Sequence, residues 1–453
     1  MVTSSKNATG LALDTLVPTP TGWLKAGDLQ IGNKVLLSDG TAAEVKNTEV
    51  TEAKTFSLTF TGVAPLVTAE GQLWSASNRA DRTGVGVSTR KNNGKRSALA
   101  LRYAESIKNL LMEDLDMVTM TDLLSKTCLS EDMWRIIMKR IRNKGIKIVQ
   151  ETFTVPGFKG SFARYDAKEL LQAALDDQLR IAEANSLKTQ ANHVYETADI
   201  AASVFYRNYR NWCLPSMVPL QISEAQLPLE PYVLGLWLAD GTASMGTITM
   251  GGDDLDYLLA HLKGLGIKHR KLAKEMGRNA WRTTFESTNG VALTTSLREV
   301  DLLNNKHIPT EYLRASYGQR LALLQGLLDG DGFIDKKGKC ELCFTRKELA
   351  DDAAELLRTF GLLVSMKESE AAYRKNGERI VTGTRYRMHF TTELPVFSLP
   401  RKAEKLPESV QERYKRHYLD SAEPAGTQLV KSIYLGEQKQ FLVGDFIPTL
   451  SAD

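Results

Sequence analysis

The sequence is poor in cysteine and has no long apolar run. Four cysteines among 453 residues exclude a disulfide framework and favour a reducing, cytoplasmic compartment. No apolar stretch approaches the roughly 18 residues that span a bilayer. The polar start MVTSSKNATG also lacks the apolar core of a signal peptide. We therefore expect no membrane association, while the modest net charge of +4 is compatible with a nucleic acid partner.

Three compositional zones predict an α+β protein of several domains. Short apolar runs separated by turn signals indicate strands over residues 11–80 and again over 422–451. Residues 85–220 are helical and basic, and residues 227–420 alternate between helical and strand-like patterns. Because chain ends usually lie near each other, the similar patterns at both ends predict one β domain interrupted by long insertions.

An internal repeat occurs within the third zone. PYVLGLWLADG at Pro231–Gly241 and ALLQGLLDGDG at Ala322–Gly332 are both apolar helical segments that end in a small residue, aspartate and glycine. Each is followed by a strand-like stretch and then by an amphipathic helix that ends in glycine. A spacing of about 90 residues is too long for a solenoid and predicts a pseudo-twofold pair of αβ units.

The repeat predicts a metal site. Small residues would let the two helices approach closely, so Asp240 and Asp331 would converge at their ends. The repulsion between two carboxylates is costly unless a cation lies between them. Oxygen ligands suit Mg²⁺, or Mn²⁺, shared with phosphate oxygens, and the corresponding chemistry is phosphodiester hydrolysis. A lone Asp-Gly after a helix is usually only a turn, and repetition of the whole unit is what favours catalysis.

The two motifs resemble those of the two-motif LAGLIDADG homing endonucleases. This resemblance implies a pseudo-symmetric αββαββα domain over 227–420, with four-stranded sheets on DNA. It also implies metal binding at Asp240-Gly241 and Asp331-Gly332, with the earlier acid, Asp329, structural. A lysine follows each motif in related intein-borne enzymes. Here the candidates are Lys306 in NNKHIP and Lys402 in SLPRKAEKLP, each of which could stabilise developing charge. Solvated surface lysines are the alternative.

The flanks resemble the Hint domain of inteins, but the splicing residues are lost. LALDTLVPTPTGWLKAGD resembles the first intein block, and FLVGDFIPTL resembles the last. Gly10 stands where the nucleophile belongs, Gly71 where the histidine belongs, and Leu450-Ser451 where the His-Asn pair belongs. An acyl shift needs a nucleophile. We therefore expect no splicing and, since the chain starts at Met1 and ends just after the Hint block, a free-standing protein.

The middle insertion predicts DNA recognition. A short helix, a basic helix capped by Ser130 and closed by Gly145, and two strand-like runs suggest a winged helix near 117–166. Charge runs are usually solvated helix faces, but beside a DNA-cleaving domain they favour phosphate contacts. The candidate DNA-binding residues are Arg90, Lys91, Lys95, Arg96, Arg135, Lys139, Arg140, Arg142, Lys144 and Lys159.

The repeat and the family resemblance together imply a site-specific, Mg²⁺-dependent endonuclease that cuts double-stranded DNA at a long target. We expect it to act as a monomer, in the cytoplasm of a bacterial or phage-infected cell or wherever its target DNA resides. Two alternatives remain open: an intein with residual splicing or self-cleavage, and a catalytically silent maturase or regulator that binds DNA or RNA.

Overall fold

The computed structural model of the chain describes residues 8–84, 87–113, 115–154, 161–187, 192–286, 290–375 and 378–452. Helices and strands both contribute, so the fold is mixed α and β. One compact unit ends at Asn78 and resumes at His193, and the other is Arg79–Asn192. Within the described ranges, no helix combines the length and the hydrophobicity that crossing a bilayer requires.

Short strands and tight turns make up the first segment of the larger unit. Glycines with positive φ, such as Gly32 at +92° and Gly40 at +85°, lie in its turns, where residues with a Cβ would be strained. The strands are β1 (Leu11–Ala12), β2 (Leu16–Thr19), β3 (Gly22–Lys25), β4 (Lys34–Leu36), β5 (Ala42–Glu44), β6 (Asn47–Phe60), β7 (Leu66–Ala69) and β8 (Leu73–Ala76).

The smaller unit combines helices with a three-stranded antiparallel sheet. Its elements are α1 (Arg79–Gly84), α2 (Val87–Leu111), β9 (Met117–Thr119), α3 (Met120–Lys126), α4 (Glu131–Asn143), β10 (Gln150–Phe153), β11 (Phe162–Asp166) and α5 (Ala167–Leu187), and the sheet order is β10-β11-β9. Helix α4 buries Trp134, Ile137 and Ile141 at helical spacing. Ser130 accepts the Met133 N–H at 3.3 Å, and Gly145 has φ of +78°, so the predicted start and stop of this helix are confirmed.

After the smaller unit, the chain resumes with short elements and then two similar halves. The short elements are β12 (His193–Glu196), α6 (Thr197–Ala201), β13 (Phe205–Tyr206), β14 (Tyr209–Arg210) and β15 (Cys213–Pro215). The first half contains α7 (Pro231–Asp240), β16 (Thr247–Gly251), α8 (Leu255–Gly264), β17 (Lys268–Lys274), β18 (Ala280–Glu286), α9 (Leu293–Glu299) and α10 (Thr310–Leu313). The second contains α11 (Tyr317–Gly330), β19 (Phe333–Ile334), β20 (Lys339–Phe344), α12 (Lys347–Arg358), β21 (Ser365–Lys375), β22 (Glu378–Thr391) and α13 (Pro400–Ala403).

The sheets of the two halves are not equal. The second sheet is four-stranded, in the order β19-β20-β22-β21, as expected for both halves. In the described part of the first half, the sheet has three strands in the order β16-β18-β17. A single bridge between Gly241 and Ile248 stands where β19 lies in the second half. The expectation of two four-stranded sheets is therefore corrected: one strand of the first sheet is reduced to this bridge.

The last strands close a sheet with the first ones. They are β23 (Arg416–Tyr434), β24 (Gln440–Val443) and β25 (Ile447–Leu450), and the sheet order is β1-β7-β6-β23-β15. Segments from both ends of the sequence thus share one sheet.

Two boundaries differ from the expected ones. Strand β23 begins at Arg416, whereas the β segment was expected from 422 and the preceding domain until 420. The expected insertion, 85–220, is too long at its end, because β12 pairs with β8 and β15 pairs with β23 inside the larger unit. Pairings between segments so far apart in sequence leave no local pattern from which a boundary could be read.

An ion pair anchors the second half to the first strands. Arg314 is buried, pairs with Glu355 of α12 at 2.6 Å, and donates from Nε to the Thr19 carbonyl oxygen at 2.8 Å. The indole N–H of Trp23 in β3 donates to the Glu355 carboxylate at 2.9 Å. Since a buried charge is tolerated only when it is paired and hydrogen-bonded, this contact fixes β2 and β3 against α12.

Glycines set the distance between helices α7 and α11. A Cβ built on Gly235 would lie 2.2 Å from the Leu323 carbonyl oxygen, and one built on Gly326 would lie 2.1 Å from the Tyr232 carbonyl oxygen. Both distances are far below a van der Waals contact and both obstacles are backbone atoms. The two backbones are therefore in direct contact, and any side chain at these positions would force the helices apart.

We predict that Gly326→Ala destabilises the protein by about 2–3 kcal/mol or more, because overpacking against backbone cannot be relieved by a side-chain rotation. Urea unfolding followed by circular dichroism measures the effect. Gly318→Ala is the matched control in the same helix, because a Cβ there meets nothing within 4 Å. The control should change stability by less than about 1 kcal/mol. Equal stability of the two variants would contradict the close helix contact.

Candidate active site

Two helices deliver two carboxylates to one place. Helix α7 ends at Asp240, and Asp331 is the C-cap residue of α11. A Cβ on Gly330 would lie 2.5 Å from the Ala239 Cβ and 3.0 Å from Asp240 Oδ2, so the two helix ends are in contact as well. Asp240 is half-buried, and Asp331 is exposed to solvent on one side. The carboxylates are therefore adjacent to each other and reachable from solvent.

The glycines after the two acids are required by shape. A Cβ on Gly241 would lie 2.2 Å from Trp237 Cδ1, and one on Gly332 would lie 2.4 Å from the Leu328 carbonyl oxygen. The Gly241 carbonyl oxygen accepts a hydrogen bond from Lys306, so this candidate metal ligand is engaged by a lysine.

Each candidate lysine holds the end of one motif helix. Lys306 Nζ donates to the carbonyl oxygens of Leu238, at 3.0 Å, and Gly241, at 2.7 Å. Lys402 Nζ donates to those of Leu328 and Asp329, both at 2.8 Å, and is only 5% exposed. The last carbonyls of a helix lack partners within it and carry partial negative charge. The two ammonium groups satisfy such carbonyls, and one position, Leu238 in the first motif and Asp329 in the second, is shared between the halves. Neither lysine is therefore a solvated surface residue.

The acids and lysines perturb one another. Burial raises the pKa of Asp240 to about 6, and repulsion by Asp331 adds to the rise, while Lys306 and Lys402 oppose it. Burial also raises the pKa of Asp331, again opposed by the two lysines. Burial lowers the pKa of Lys306 and of Lys402 to about 8 in each case, opposed by nearby carboxylates. Four ionisable groups with mutually dependent pKa values in one cleft are typical of functional sites.

Asp329 has a different environment from the two terminal acids. It is 3% exposed and accepts hydrogen bonds from the Tyr232 hydroxyl, at 2.8 Å, and from the backbone N–H groups of Ser398 and Leu399, both at 3.2 Å. The Ser398 hydroxyl also donates to it. Its carboxylate therefore faces the packed interior between α7, α11 and the start of α13.

The ligand types at Asp240 and Asp331 fit a divalent cation shared with a substrate. Among the described residues, no group of three or more His, Cys, Asp or Glu side chains could enclose a metal by itself. Two carboxylates that repel each other at a solvent-accessible helix junction offer only part of a coordination shell. Mg²⁺ is commonly held in this way, by one or two carboxylates with water and phosphate oxygens completing the shell.

The sequence of this region matches a known domain family. Residues 318–395 match the family model described as the LAGLIDADG-like domain.

The resemblance indicated by the second motif is thereby confirmed for this part of the chain.

Similarity to known proteins extends beyond this domain. The chain is 27% identical over 395 residues to the replicative DNA helicase DnaB of Mycobacterium intracellulare, a match that covers 87% of this chain and 49% of the helicase. The chain thus spans about half the length of that curated relative.

Solved structures of two kinds are similar to parts of the chain. The gp41-1 intein is 26% identical over 16% of this chain and 56% of its own, with a TM-score of 0.15. The I-DmoI homing endonuclease, in complex with its target DNA and in the presence of Mn, is 14% identical over 41% of this chain and 96% of its own, with a TM-score of 0.26.

The basic residues of the smaller unit fall into groups. Arg140 and Lys144 pair with the fully buried Asp177 of α5, at 3.0 and 3.1 Å, and Arg135 pairs with Glu131 within α4. Further exposed cationic residues are Lys139 and Arg142 on α4 and Lys95 and Arg96 on α2. Arg90 and Lys91 belong to helix α2, and Lys159 lies outside the described residues. Arg140 and Lys144 thus stabilise the packing of α4 on α5, which their sequence pattern did not reveal.

The degenerate splicing positions are joined by a residue that the sequence did not single out. The side chain of Gln72 is buried, accepts the Gly10 N–H at 3.0 Å and donates to the Leu450 carbonyl oxygen at 2.7 Å. Gln72 directly follows Gly71 in the sequence, and this adjacency is the signal by which the sequence could have identified it. Ser451 is buried, and its hydroxyl accepts the Lys439 N–H at 3.0 Å.

Gly10 has no room for a side chain. Its φ is +139°, and a Cβ there would lie 2.9 Å from the Lys431 carbonyl carbon. A cysteine or serine at this position would therefore be strained and in collision with β23.

We predict that Asp240→Asn raises the melting temperature of the metal-free protein at pH 7. The pKa of Asp240 in the folded protein, about 6, lies above the ordinary value for aspartate. Its protonated carboxyl therefore stabilises the folded state fully below about pH 4, and this stabilisation is lost as pH rises through 6. Because the asparagine amide cannot ionise, the variant keeps its stability over this pH range. Thermal unfolding in EDTA from pH 4 to pH 8 measures the effect.

Asp335→Asn is the matched control for this prediction. Asp335 follows the second motif and accepts the N–H groups of Lys337 and Lys339, which lower the pKa of its carboxyl. Because the shift has the opposite sign, this variant should not gain stability as pH rises. If Asp240→Asn lowered the melting temperature in EDTA, or left it unchanged at pH 7, the raised pKa that burial and repulsion by Asp331 give Asp240 would be wrong.

Proposed function

We propose that this chain is a site-specific endonuclease that cuts double-stranded DNA at a long target with Mg²⁺ or Mn²⁺, acts as a monomer and does not splice. The observation that carries the proposal is the convergence of Asp240 and Asp331 at the ends of two glycine-packed helices, each end held by a lysine. The LAGLIDADG-like domain over 318–395 supports it.

The residues divide the chemistry among them. Asp240 and Asp331 would hold a divalent cation, which supplies charge stabilisation at the scissile phosphate when bound. With a pKa of about 6, Asp240 is largely ionised at neutral pH, as a ligand must be. With pKa values of about 8, Lys306 and Lys402 are mostly protonated there and place positive charge where a phosphate develops negative charge. One acid and one lysine from each half would serve each strand.

The second sheet offers DNA a polar face with charges of both signs. On it Arg387 pairs with Glu341 of β20 at 2.9 Å, and burial lowers the pKa of His389. Met388 and Phe390 of β22 are buried, so the alternating Arg387 and His389 project to the opposite face of the sheet. Lys367 of β21 is the cross-strand neighbour of Arg387 on that face. Such side chains would position the duplex through phosphates and base edges.

We further propose that the smaller unit is a winged helix that adds DNA affinity. The order β9, α3, α4, β10, β11 places the basic helix directly before an antiparallel strand pair, as in that motif. Lys139 and Arg142 of α4 are its candidate phosphate contacts, since both are exposed.

Self-splicing and silent binding are the competing functions. Gly10 offers no nucleophile, and Ser451 offers no amide to cyclise, so the mass of the purified protein should stay at 50.3 kDa on incubation. The last acid of each motif, Asp240 or Asp331, is present together with its glycine and its lysine. This favours a site that cleaves DNA over a site that only binds it.

The test starts from a library of duplex DNA sites incubated with the protein and Mg²⁺, followed by sequencing of cut ends to identify the target. On that target, Asp331→Asn and Asp240→Asn should each reduce double-strand cleavage by a factor of about 100 or more, with binding retained, because each removes a carboxylate ligand of the cation that would act on the reacting phosphate. Asp335→Asn is the control and should cut like the unmodified protein. Absence of cleavage of any site, or full activity of Asp331→Asn, would contradict the proposal.

A second prediction distinguishes the exposed basic residues of α4, Lys139 and Arg142, from Arg140, which pairs with Asp177. The double variant Lys139→Gln with Arg142→Gln should bind the target more weakly and reduce the slope of log affinity against log salt by about 2, since each lost phosphate contact contributes about 0.9. Arg140→Gln is the control within the same helix. It should lower the melting temperature, because Arg140 pairs with Asp177, and leave the salt slope unchanged. An unchanged slope in the double variant would show that α4 does not contact phosphates.

A further inference from the structure

Asp329 connects three segments around the second motif: its own helix α11, helix α7 and the start of α13. It lies near the end of α11, two positions before Asp331. Its carboxylate accepts the Tyr232 hydroxyl of α7 on one side and the N–H groups of Ser398 and Leu399 on the other. It is buried at 3% exposure, so these bonds form without competition from solvent.

The segment held by Asp329 carries Lys402. Leu399 is the N-cap residue of α13, and Lys402 lies on that single turn. Lys402 then donates back to the backbone carbonyl oxygen of Asp329 itself at 2.8 Å. The segment is thus fastened to residue 329 at two points, by the carboxylate at its start and by the carbonyl at its lysine, which fixes the position of the ammonium group.

The segment that carries the lysine of the first half is held by a different acid. Leu238 occupies the position that matches Asp329, two before Asp240, and it has no carboxylate. The segment that carries Lys306 is instead held by Asp352 of α12, whose Oδ2 accepts the Ile308 N–H at 2.8 Å. The two lysines share one equivalent contact, with the carbonyl oxygen of Leu238 or Asp329, but their segments are held by different acids.

We propose that Asp329 is the positioning residue for Lys402 and thereby controls cleavage of one DNA strand, whereas Asp352 plays this part for Lys306 and the other strand. The inference rests on the proposed endonuclease function. It gives the earlier acid of the second motif a role that differs from both metal binding and general packing, because a packing role would affect both strands alike.

The experiment measures each strand separately under single-turnover conditions, on a duplex carrying a different label on each strand. Lys402→Ala and Lys306→Ala first identify which strand depends on which lysine. Asp329→Asn keeps the volume but offers one acceptor oxygen in place of two, so it should slow the Lys402-dependent strand by about 10- to 100-fold, in line with the cost of small misplacements. The other strand should change by less than about threefold and serves as the internal control for folding and binding.

Two further variants keep the proposal testable if Asp329→Asn folds poorly. Ser398→Ala removes one hydroxyl donor to Asp329 and should slow the same strand by a smaller factor. Asp352→Ala should slow the opposite strand. A second readout needs neither metal nor DNA: hydrogen–deuterium exchange at Ser398 and Leu399 should speed up in Asp329→Asn, while exchange at Ile308 should not.

The outcomes are distinct. Selective slowing of the Lys402-dependent strand with local loss of amide protection supports the proposal. Equal slowing of both strands, or no slowing of either, overturns it. If the unmodified protein cuts no DNA, the endonuclease proposal itself fails, and that result is distinguishable from the others.

Discussion

The backbone contact between α7 and α11 is the constraint on which the rest of the site depends. Glycines at 235 and 326 let the two helices touch along their lengths, and Gly330 carries that contact to the ends, beside Asp240. Because each helix ends at its acid, the packing alone brings two carboxylates together. The leucines of both helices are buried around this contact, so the hydrophobic core and the acidic pair are products of one arrangement.

The acidic pair is unfavourable by itself, and the surrounding residues offset it. Burial and mutual repulsion raise the pKa of Asp240 to about 6, and the lysines moderate the rise. Lys306 and Lys402 also satisfy the last carbonyls of the two helices, so one pair of side chains completes the helices and supplies positive charge to the cleft. The contact between the two helices holds the carboxylates together despite this repulsion.

Much of this arrangement follows from the sequence. The repeated motif predicts the two helices and their convergent acids, while the distinct roles expected of the buried Asp329 and the exposed Asp331 stay predictions. Other features could not be read, because they depend on residues far apart in the chain. Asp177 forms ion pairs with Arg140 and Lys144. Gln72 hydrogen-bonds both Gly10 and Leu450, and the Ser398 hydroxyl donates to Asp329. Local periodicity encodes which face of an element is buried, but not which polar partner it meets there.

The central claim is that the helix contact creates a shared cation site between Asp240 and Asp331. Crystals of the protein soaked in Mn²⁺ and measured at the manganese absorption edge test it most directly. The account predicts an anomalous difference peak bonded to carboxylate oxygens of both acids at about 2.2 Å, lost in Asp240→Asn. A protein that binds Mn²⁺ elsewhere while these two carboxylates pair only with Lys306 and Lys402 would contradict it.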